Sequence, residues 1–512
     1  MIAEIAVENT VLSDHRIVTV KTTVEMEVLA AQESGERQGL GMLNFQSKDI
    51  DWIKMQEQFL QENWLELKKC SCPDIAYDII LKKITEVACD HVPVKKPRIP
   101  NSIPRDRRIL MRKRTKNRKK LENHDLTLNQ TQQIEKILSD IELKLIESHK
   151  KEANRKEQEA VDRIGSNPDF FYRYARSKSS PNSSVGPIKF GEIYCNNAKE
   201  MGDILQRHFE SVYSTPTEAK DIEDILKTTA PRCLEDIDFS HDDVREAILS
   251  ISPKASAGLD GVPAVLLRNC VEELVYPLEI LLRLSLSSGR LPAKFKMSKV
   301  IPLFKGGERC LVQNYRPISL TSHICKVFEK IVVKNLINYF NDMNLFNPNQ
   351  HGFRSGRSCL SQLLEHHQRI LEILEGGDCA DVIYLDFSKA FDKVDHNILL
   401  SKLRVLGISG QLLKWIHSFL TRRRQVVSID GHLSDEARVI SGVPQGSSLG
   451  PLLFLIHIAD IDDDLDHAFV SSFADDTRLL KDVKEPEDCF NMQSDLLKTY
   501  DWAKNNNMEF NS

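Results

Sequence analysis

The sequence predicts an α+β fold, and three observations predict it. From about Ile188 onward, strand-length apolar runs alternate with helix-length periodic segments. Val470–Leu480 reads as strand, two-residue turn, strand, the pattern of an antiparallel hairpin. Leu121–Ile164 sets Ile134, Ile137, Leu138, Ile141 and Leu145 at helical spacing on a charged background, the pattern of one long amphipathic helix. The expected architecture is an antiparallel sheet backed by helices, preceded by a largely helical N-terminal region with a short β portion.

Met1–Met26 carries two short apolar alternations of strand type, Ile2, Ile5, Val7 and Ile17, Val18, Val20. Residues 27–94 are mostly helical by pattern, punctuated by Gly35, Gly39 and Gly41. Residues 95–120 hold 13 Lys and Arg in 26 positions against one acid, Asp106. Such a block repels itself unless it is solvated or meets a polyanion. A solvated helical face and a nuclear import signal are the alternatives. Binding to a phosphate backbone is favoured, because acids elsewhere bring the net charge to −5 without diluting the cluster. Ser177–Gly186, rich in Ser, Pro and Asn, reads as a linker. No repeat of fixed period is present.

At ~150 residues per domain, the 512 residues suggest about three domains. Hydrophobic residues at 41% and charged residues at 28% exclude a disordered chain. No apolar run reaches the ~18 residues of a membrane helix. Met1–Val20 has Glu4, Glu8 and no basic n-region, so no signal peptide is expected. The 11 cysteines are odd in number and scattered, which argues for a reducing compartment, nucleus or cytoplasm, undecided between them.

Three short motifs carry chemistry. In Asp381–Asp392, the apolar run Val382–Leu385 ends in Asp386, where a buried strand emerges. A lone Asp there is more often a helix cap than a metal ligand. The hairpin Val470–Leu480 sets Asp475 and Asp476 side by side at its tip, where each raises the other's pKa without a counter-charge. An Asp-rich turn is the bland reading. A divalent-cation site completed by Asp386 is the functional one, since Mg²⁺ prefers a few carboxylates plus substrate phosphates. Ser441–Pro451 has Gly446 and Gly442 around Gln445, so backbone can approach a ligand closely, and Pro451 suits the first turn of a helix.

In this order, the three motifs resemble the core of a reverse transcriptase. They are most similar to the non-LTR (LINE-type, jockey-like) retrotransposon polymerases. Lys299–Lys305 and Asn314–Leu320 resemble the family's fingers hairpin, Asn349–Ser358 its next block, and Lys254–Gly261 the block before the fingers. Ser13-Asp14-His15 resembles the last motif of the family's apurinic-type endonuclease. The resemblance is close over roughly residues 165–512 and loose over 1–26.

The resemblance implies a right-hand polymerase with helical fingers and an antiparallel palm sheet in residues 251–512, the thumb missing. It makes 181–250 an N-terminal extension of the polymerase, 95–180 a basic helical nucleic-acid-binding linker, 27–94 a helical linker region and 1–26 an endonuclease remnant. The implied activity is RNA-directed DNA polymerisation by two-metal nucleotidyl transfer. Two Mg²⁺ ions are the implied cofactors; an RNA template, a DNA primer or target and dNTPs are the implied partners, with no membrane. Asp386, Asp475 and Asp476 become the catalytic carboxylates and metal ligands, with the Phe387 carbonyl as a further ligand. Lys305 and Arg316 resemble the cations that hold the incoming triphosphate; exposed charge is the alternative for Lys305. Phe391 stands where such polymerases place a ring that excludes a 2′-hydroxyl; core packing is its alternative. Gln445 and Gly446 resemble the loop that touches the template and the nascent base pair.

The family's endonuclease acids would precede Met1, and its next conserved Lys, primer grip and thumb would follow Ser512. The chain therefore reads as a fragment of a polyprotein, without endonuclease activity and with little processive synthesis. The rival readings are a non-catalytic nucleic-acid-binding fragment of a decayed element and another palm-type polymerase, a maturase or telomerase relative. Cys70, Cys72, Cys89 and His91 hold four potential zinc ligands, but the first pair lacks a two-residue spacer. His366 and His367 read as surface residues.

Overall fold

The computed structural model describes residues 2–8, 17–22, 39–95, 105–121, 128–165, 185–217 except 192, and 230–511, with residues 167, 170 and 171. Ser13-Asp14-His15 and most of the Ser177–Gly186 linker lie outside the described residues. The chain forms two compact units, Met1–Gln38 and Gly39–Ser512. In the first, β1 (Ile2–Glu8) and β2 (Ile17–Thr22), the strands that the apolar alternation predicts, pair antiparallel with Val7 opposite Val18.

The second unit begins with the helices Trp52–Gln61 and Pro73–His91. Asp51 caps the first by accepting from the Lys54 amide at 3.2 Å, and Pro73 pre-sets the first turn of the second. Their apolar faces, including Met55, Phe59, Tyr77, Ile80 and Ile84, join Leu274, Leu278 and Leu281 of the helix Val271–Ser287 in one core. Tyr77 meets Phe295 edge-on at 4.5 Å, and Phe295 meets Phe328 at 5.8 Å. The described part of the segment read as a helical linker, 39–94, is thus built into the main core of the second unit. Its apolar stripes are wide enough to need a partner, and the Val271–Ser287 helix supplies one.

The basic block forms its own helix, Arg105–Leu121, packed against Leu128–Asp162, where the sequence pattern predicts a single helix over Leu121–Ile164. Ile141 and Leu145 are buried, Arg107 pairs with Glu152 at 2.7 Å, and Arg118 pairs with Glu142 at 3.2 Å. Part of the basic charge is therefore answered within this hairpin.

Strands β3 (Ile188–Phe190) and β4 (Ile193–Cys195) make a two-stranded ladder. Eight more strands come after them: β5 (Met297–Phe304), β6 (Tyr315–Leu320), β7 (Cys379–Leu385), β8 (Arg423–Ile429), β9 (His432–Leu433), β10 (Ala437–Val439), β11 (Phe469–Phe473) and β12 (Asp476–Val483). One sheet has the order β10-β8-β5-β6, with β9 on β8; β5 runs antiparallel to β6 and parallel to β8. The other is antiparallel throughout, in the order β11-β12-β7. Helix Cys359–Glu375 covers β7 and β11, and helix Pro486–Asn505 covers β12, where Val470, Leu479 and Met492 close a small core. His366 is 2% exposed on the covering helix, its ring 6.4 Å from that of Tyr384, which corrects the surface expectation. It faces the sheet, and only His367 faces out. Among the described residues no helix is long and apolar enough to cross a membrane.

One buried ion pair joins three helices behind the second sheet. Lys402 and Asp460, with side chains 0% and 3% exposed, meet at 2.5 Å. Lys402 also donates to the His457 carbonyl at 2.6 Å, and the Trp502 indole donates to Asp460 at 3.1 Å. Removing one partner leaves the other charge buried and unpaired. Lys402→Met is expected to cost on the order of 3–5 kcal/mol, and Lys402→Met/Asp460→Leu to recover much of it. Urea unfolding of the two variants checks this; equal destabilisation would refute it.

Candidate active site

Register brings two of the carboxylates together. Phe473 pairs with Asp476 across β11 and β12, so Ala474 and Asp475 form the turn, with Ala474 left-handed at φ 55°. Thr477 pairs with Leu385 across antiparallel strands, so Asp386, the residue after Leu385, comes beside Asp476, the residue before Thr477. Burial raises the Asp475 carboxyl above its ordinary range; Asp476 and Asp386 add to the rise, and Arg316 opposes it. Asp386, Asp476 and Arg316 therefore all act on Asp475.

The turn that carries Asp475, and Asp386 itself, are each held from another part of the chain. Gln350, 6% exposed, accepts from the Ala474 amide at 2.8 Å and the Gly352 amide at 2.7 Å, and donates to the Ala474 carbonyl at 3.2 Å. A Cβ on Gly352 would lie 2.3 Å from the Ala474 nitrogen, so only glycine permits this approach. Asn511 donates from its side chain to Asp386 Oδ2 and from its amide to the Asp386 carbonyl, both at 2.8 Å. Phe510 stacks on Phe387 at 4.5 Å. The local backbone bonds use the Asp386 carbonyl and the Ser388 amide, leaving the Phe387 carbonyl out of that pairing.

Opposite charge comes from the β5–β6 hairpin, closed by the Lys305 amide on the Asn314 carbonyl at 2.8 Å. Lys389, left-handed at φ 50°, is pulled down by burial and by Lys305 and Arg316, while Asp392 raises it. Lys305 and Arg316 thus act on Lys389, and Arg316 acts on Asp475 as well. Lys389 was missed by sequence reasoning, and its only signal is its place three residues after Asp386.

The glycine-rich loop is docked rather than free. Gln445 donates to both carboxylate oxygens of Asp392 at 2.9 Å, and its carbonyl accepts from the Ser319 amide of β6 at 2.7 Å. The amide nitrogen of Gln445, the side chain that the resemblance assigns to the template loop, is thus turned to Asp392. Gly446, at φ +115°, lies where a Cβ would meet the Ser319 carbonyl at 2.6 Å; Gly442, at φ +83°, lies where one would meet Asp392 at 2.7 Å. The half-buried Phe391 ring stacks on Phe454 at 4.4 Å and meets Phe353 edge-on at 6.0 Å.

Among the described residues, no three His, Cys, Asp or Glu side chains are gathered into a ready-made metal site. The donors at the sheet edge are nonetheless hard carboxylate oxygens whose mutual repulsion a divalent cation would relieve, so the residues fit Mg²⁺. The four potential zinc ligands do not fit a common ion: His91 meets Gln58 at 2.6 Å, and the Cys70 thiol donates to the Glu66 carbonyl at 3.6 Å.

Residues 304–512 match the family described as "Reverse transcriptase (RNA-dependent DNA polymerase)". The chain is 27% identical over 303 residues to the "Probable RNA-directed DNA polymerase from transposon BS" of Drosophila melanogaster, covering 57% of this chain and 33% of the relative. To the "RNA-directed DNA polymerase from mobile element jockey" it is 26% identical over 388 residues in Drosophila funebris, covering 70% and 42%. With the jockey protein of Drosophila melanogaster it shares 25% over 491 residues, covering 91% and 52%. The chain thus spans about a third to a half of the length of these curated relatives.

Burial raises the Asp392 carboxyl to about 6, against the pull of Gln445 and Lys389. The folded state therefore binds a proton that the unfolded chain releases near pH ~3.9. Asp392 favours folding at low pH and loses that contribution as pH rises toward 6 and beyond. Asp392→Asn is expected to keep the Gln445 contact and to gain stability relative to the parent as pH rises from 4 to 7. Urea midpoints at pH 4, 5, 6 and 7 measure this; a constant difference between the two proteins would refute it.

Proposed function

Residues 304–512 being a reverse transcriptase domain of the non-LTR retrotransposon kind, we propose that this chain carries out RNA-directed DNA synthesis on a right-hand arrangement. In this reading the β5–β6 hairpin belongs to the fingers, and the β11-β12-β7 sheet is the palm. Reverse transcriptases as a family act on nucleic-acid templates and primers with nucleotide substrates, and use divalent metal ions. The observation that carries the reading is the strand register that sets Asp386 beside Asp476, next to the turn holding Asp475, whose carboxyl Arg316 acts on.

Two Mg²⁺ ions, held by Asp386, Asp475, Asp476 and the Phe387 carbonyl, would stabilise charge on the attacking and leaving oxygens of an in-line displacement. Arg316 holds the dNTP triphosphate through its planar fork, with Lys305 and Lys389 adding charge. Phe391 lies under the sugar and excludes a 2′-hydroxyl. Gly446 brings the loop backbone to the template and nascent pair, while Gln445 acts through Asp392. The primer 3′-hydroxyl attacks the α-phosphorus and pyrophosphate leaves. The side chains position and neutralise, and little proton transfer is asked of them.

Primer extension on poly(rA)/oligo(dT) with Mg²⁺ tests the reading. Asp475→Ala is expected to lower extension by on the order of 10²–10³ or more while the circular dichroism stays the same. Extension that survives Asp475→Ala would sink the assignment. Phe391→Val is expected to raise the share of ribonucleotides incorporated and leave dNTP use largely intact. An unchanged share in a folded variant would return Phe391 to packing against Phe454.

A further inference from the structure

A cavity of about 980 Å³ opens where β5 and β8 begin. Its rim carries Arg290, Lys294, Lys296, Lys414, Arg422 and Arg424. The two acids that line it, Asp74 and Asp260, have partners of their own: Asp74 accepts from the Ala293 amide at 2.6 Å, and the Tyr77 hydroxyl donates to Asp260 at 2.8 Å. Lys294 is paired with Asp78 at 2.8 Å and Arg424 with Glu436 at 3.0 Å. Among the described residues, no carboxylate lies within 4.0 Å of the charged groups of the other four.

This surplus of charge is built in. Gly289, at φ +60°, lets its turn press onto the helix Gly410–Leu420; a Cβ there would lie 2.7 Å from Lys414 Cβ. That contact fixes Arg290 beside Lys414. Arg422 is left-handed at φ 55°, an unfavourable conformation for a residue with a side chain. Successive arginines then part: Arg423 is buried and donates to the Phe419 carbonyl at 3.0 Å, while Arg422 and Arg424 reach the cavity. Burial and the neighbouring Arg423, Arg422 and Arg290 bring the Lys296 ammonium down to about 8, against the pull of Asp74. His417 is lowered by burial and by Lys296, Arg404 and Arg422.

We propose that this cavity holds the phosphate backbone of a single nucleic-acid strand beside the polymerase site. A strand supplies regularly spaced anions to match several cations, and a cavity of this volume takes a few nucleotides of one strand but no duplex. Its apolar walls, Leu81, Leu259, Leu291 and Met297, offer no Phe, Tyr or Trp ring for a base to stack on. Contact is therefore to phosphate and tolerant of sequence. The intervening Ser298 and Arg423 line a small cavity together with Asp392 and Gln445, so a strand leaving the glycine-rich loop has this basin next to it. The choice of a nucleic-acid strand as the anion rests on the polymerase reading; the cationic cavity does not.

Fluorescence anisotropy with labelled 12-nucleotide oligo(U) and oligo(dT), at several salt concentrations, tests the proposal on the full chain. Lys296→Gln/Lys414→Gln/Arg422→Gln is expected to weaken both oligonucleotides at least tenfold. It should also reduce the log–log salt slope by about 2, at ~0.7 per contact. If the triple variant does not fold, Lys414→Gln and Arg422→Gln singly should each reduce the slope by ~0.7. Unchanged affinity and slope in folded variants would overturn the proposal. So would loss of binding to inorganic tripolyphosphate alone, which would make this a free-polyphosphate site. Normal binding by a parent that extends no primer would count against the polymerase reading and leave the cavity's role standing.

Discussion

The register sets Asp386 beside Asp476 with Asp475 in the adjoining turn, and the surrounding structure has to hold these like charges in place against their repulsion. Strand pairing fixes the backbone of Asp476 and brings Asp386 to the end of the β7–β12 ladder beside it. Asp475 sits in a turn, and a turn can open. Gln350 prevents this by bonding both the amide and the carbonyl of Ala474, which keeps a non-glycine residue left-handed. Asn511 does the equivalent for Asp386 with one side-chain and one backbone bond. Directional hydrogen bonds from buried or paired groups resist a non-directional repulsion because each would be left unsatisfied by movement.

Two of the cations, Lys305 and Arg316, stand on the β5–β6 hairpin of a different sheet, so the two sheets need a fixed spacing. The glycine-rich loop supplies it. Its start bonds Asp392 through Ser441, its middle bonds β6 and Asp392 through Gln445, and its far end meets Glu329. Glu329, 0% exposed, accepts from the Ser448 amide at 2.5 Å and the Leu449 amide at 3.1 Å. Its charge thus lies at the N-terminus of the helix Gly450–His457, where the helix dipole favours an anion. The glycines of this loop serve close backbone approach to protein, at Ser319 and Asp392, before they serve any ligand.

The parts of the site that the sequence disclosed are those written in contiguous residues. An apolar run ending in Asp386 and a hairpin tip with Asp475 and Asp476 are local patterns, and local pairing realises them. The clamp by Gln350 joins residues 124 positions apart through a side chain and a backbone turn, and no periodicity encodes such a contact. Asp392 is similar: its burial and its bond to Gln445, 53 positions away, are set by tertiary packing. The same limit explains residues 39–94. Helical spacing predicts an apolar stripe but does not say which helix covers it, and so Tyr77 and Phe59 gave no sign that they belong to the main core.

Arg423 stands between the candidate site and the basic cavity, and its environment explains why both attract anions. It is fully buried, yet its guanidinium is satisfied by the Phe419 and Phe295 carbonyls and the Ser298 hydroxyl, not by a carboxylate. The nearby buried acid, Glu329, acts on Arg423 but spends its hydrogen bonds on Ser448 and Leu449. Neutral dipoles stabilise a charge without cancelling it, so the field of Arg423 extends to both faces of the β5–β8 layer. On one face it lowers Lys296 and adds to the cavity's surplus. On the other it lies beside Asp392, Gln445 and the approach to Arg316. A polyanion crossing from cavity to site would therefore remain in favourable potential until it met the negative charge of Asp386, Asp475 and Asp476.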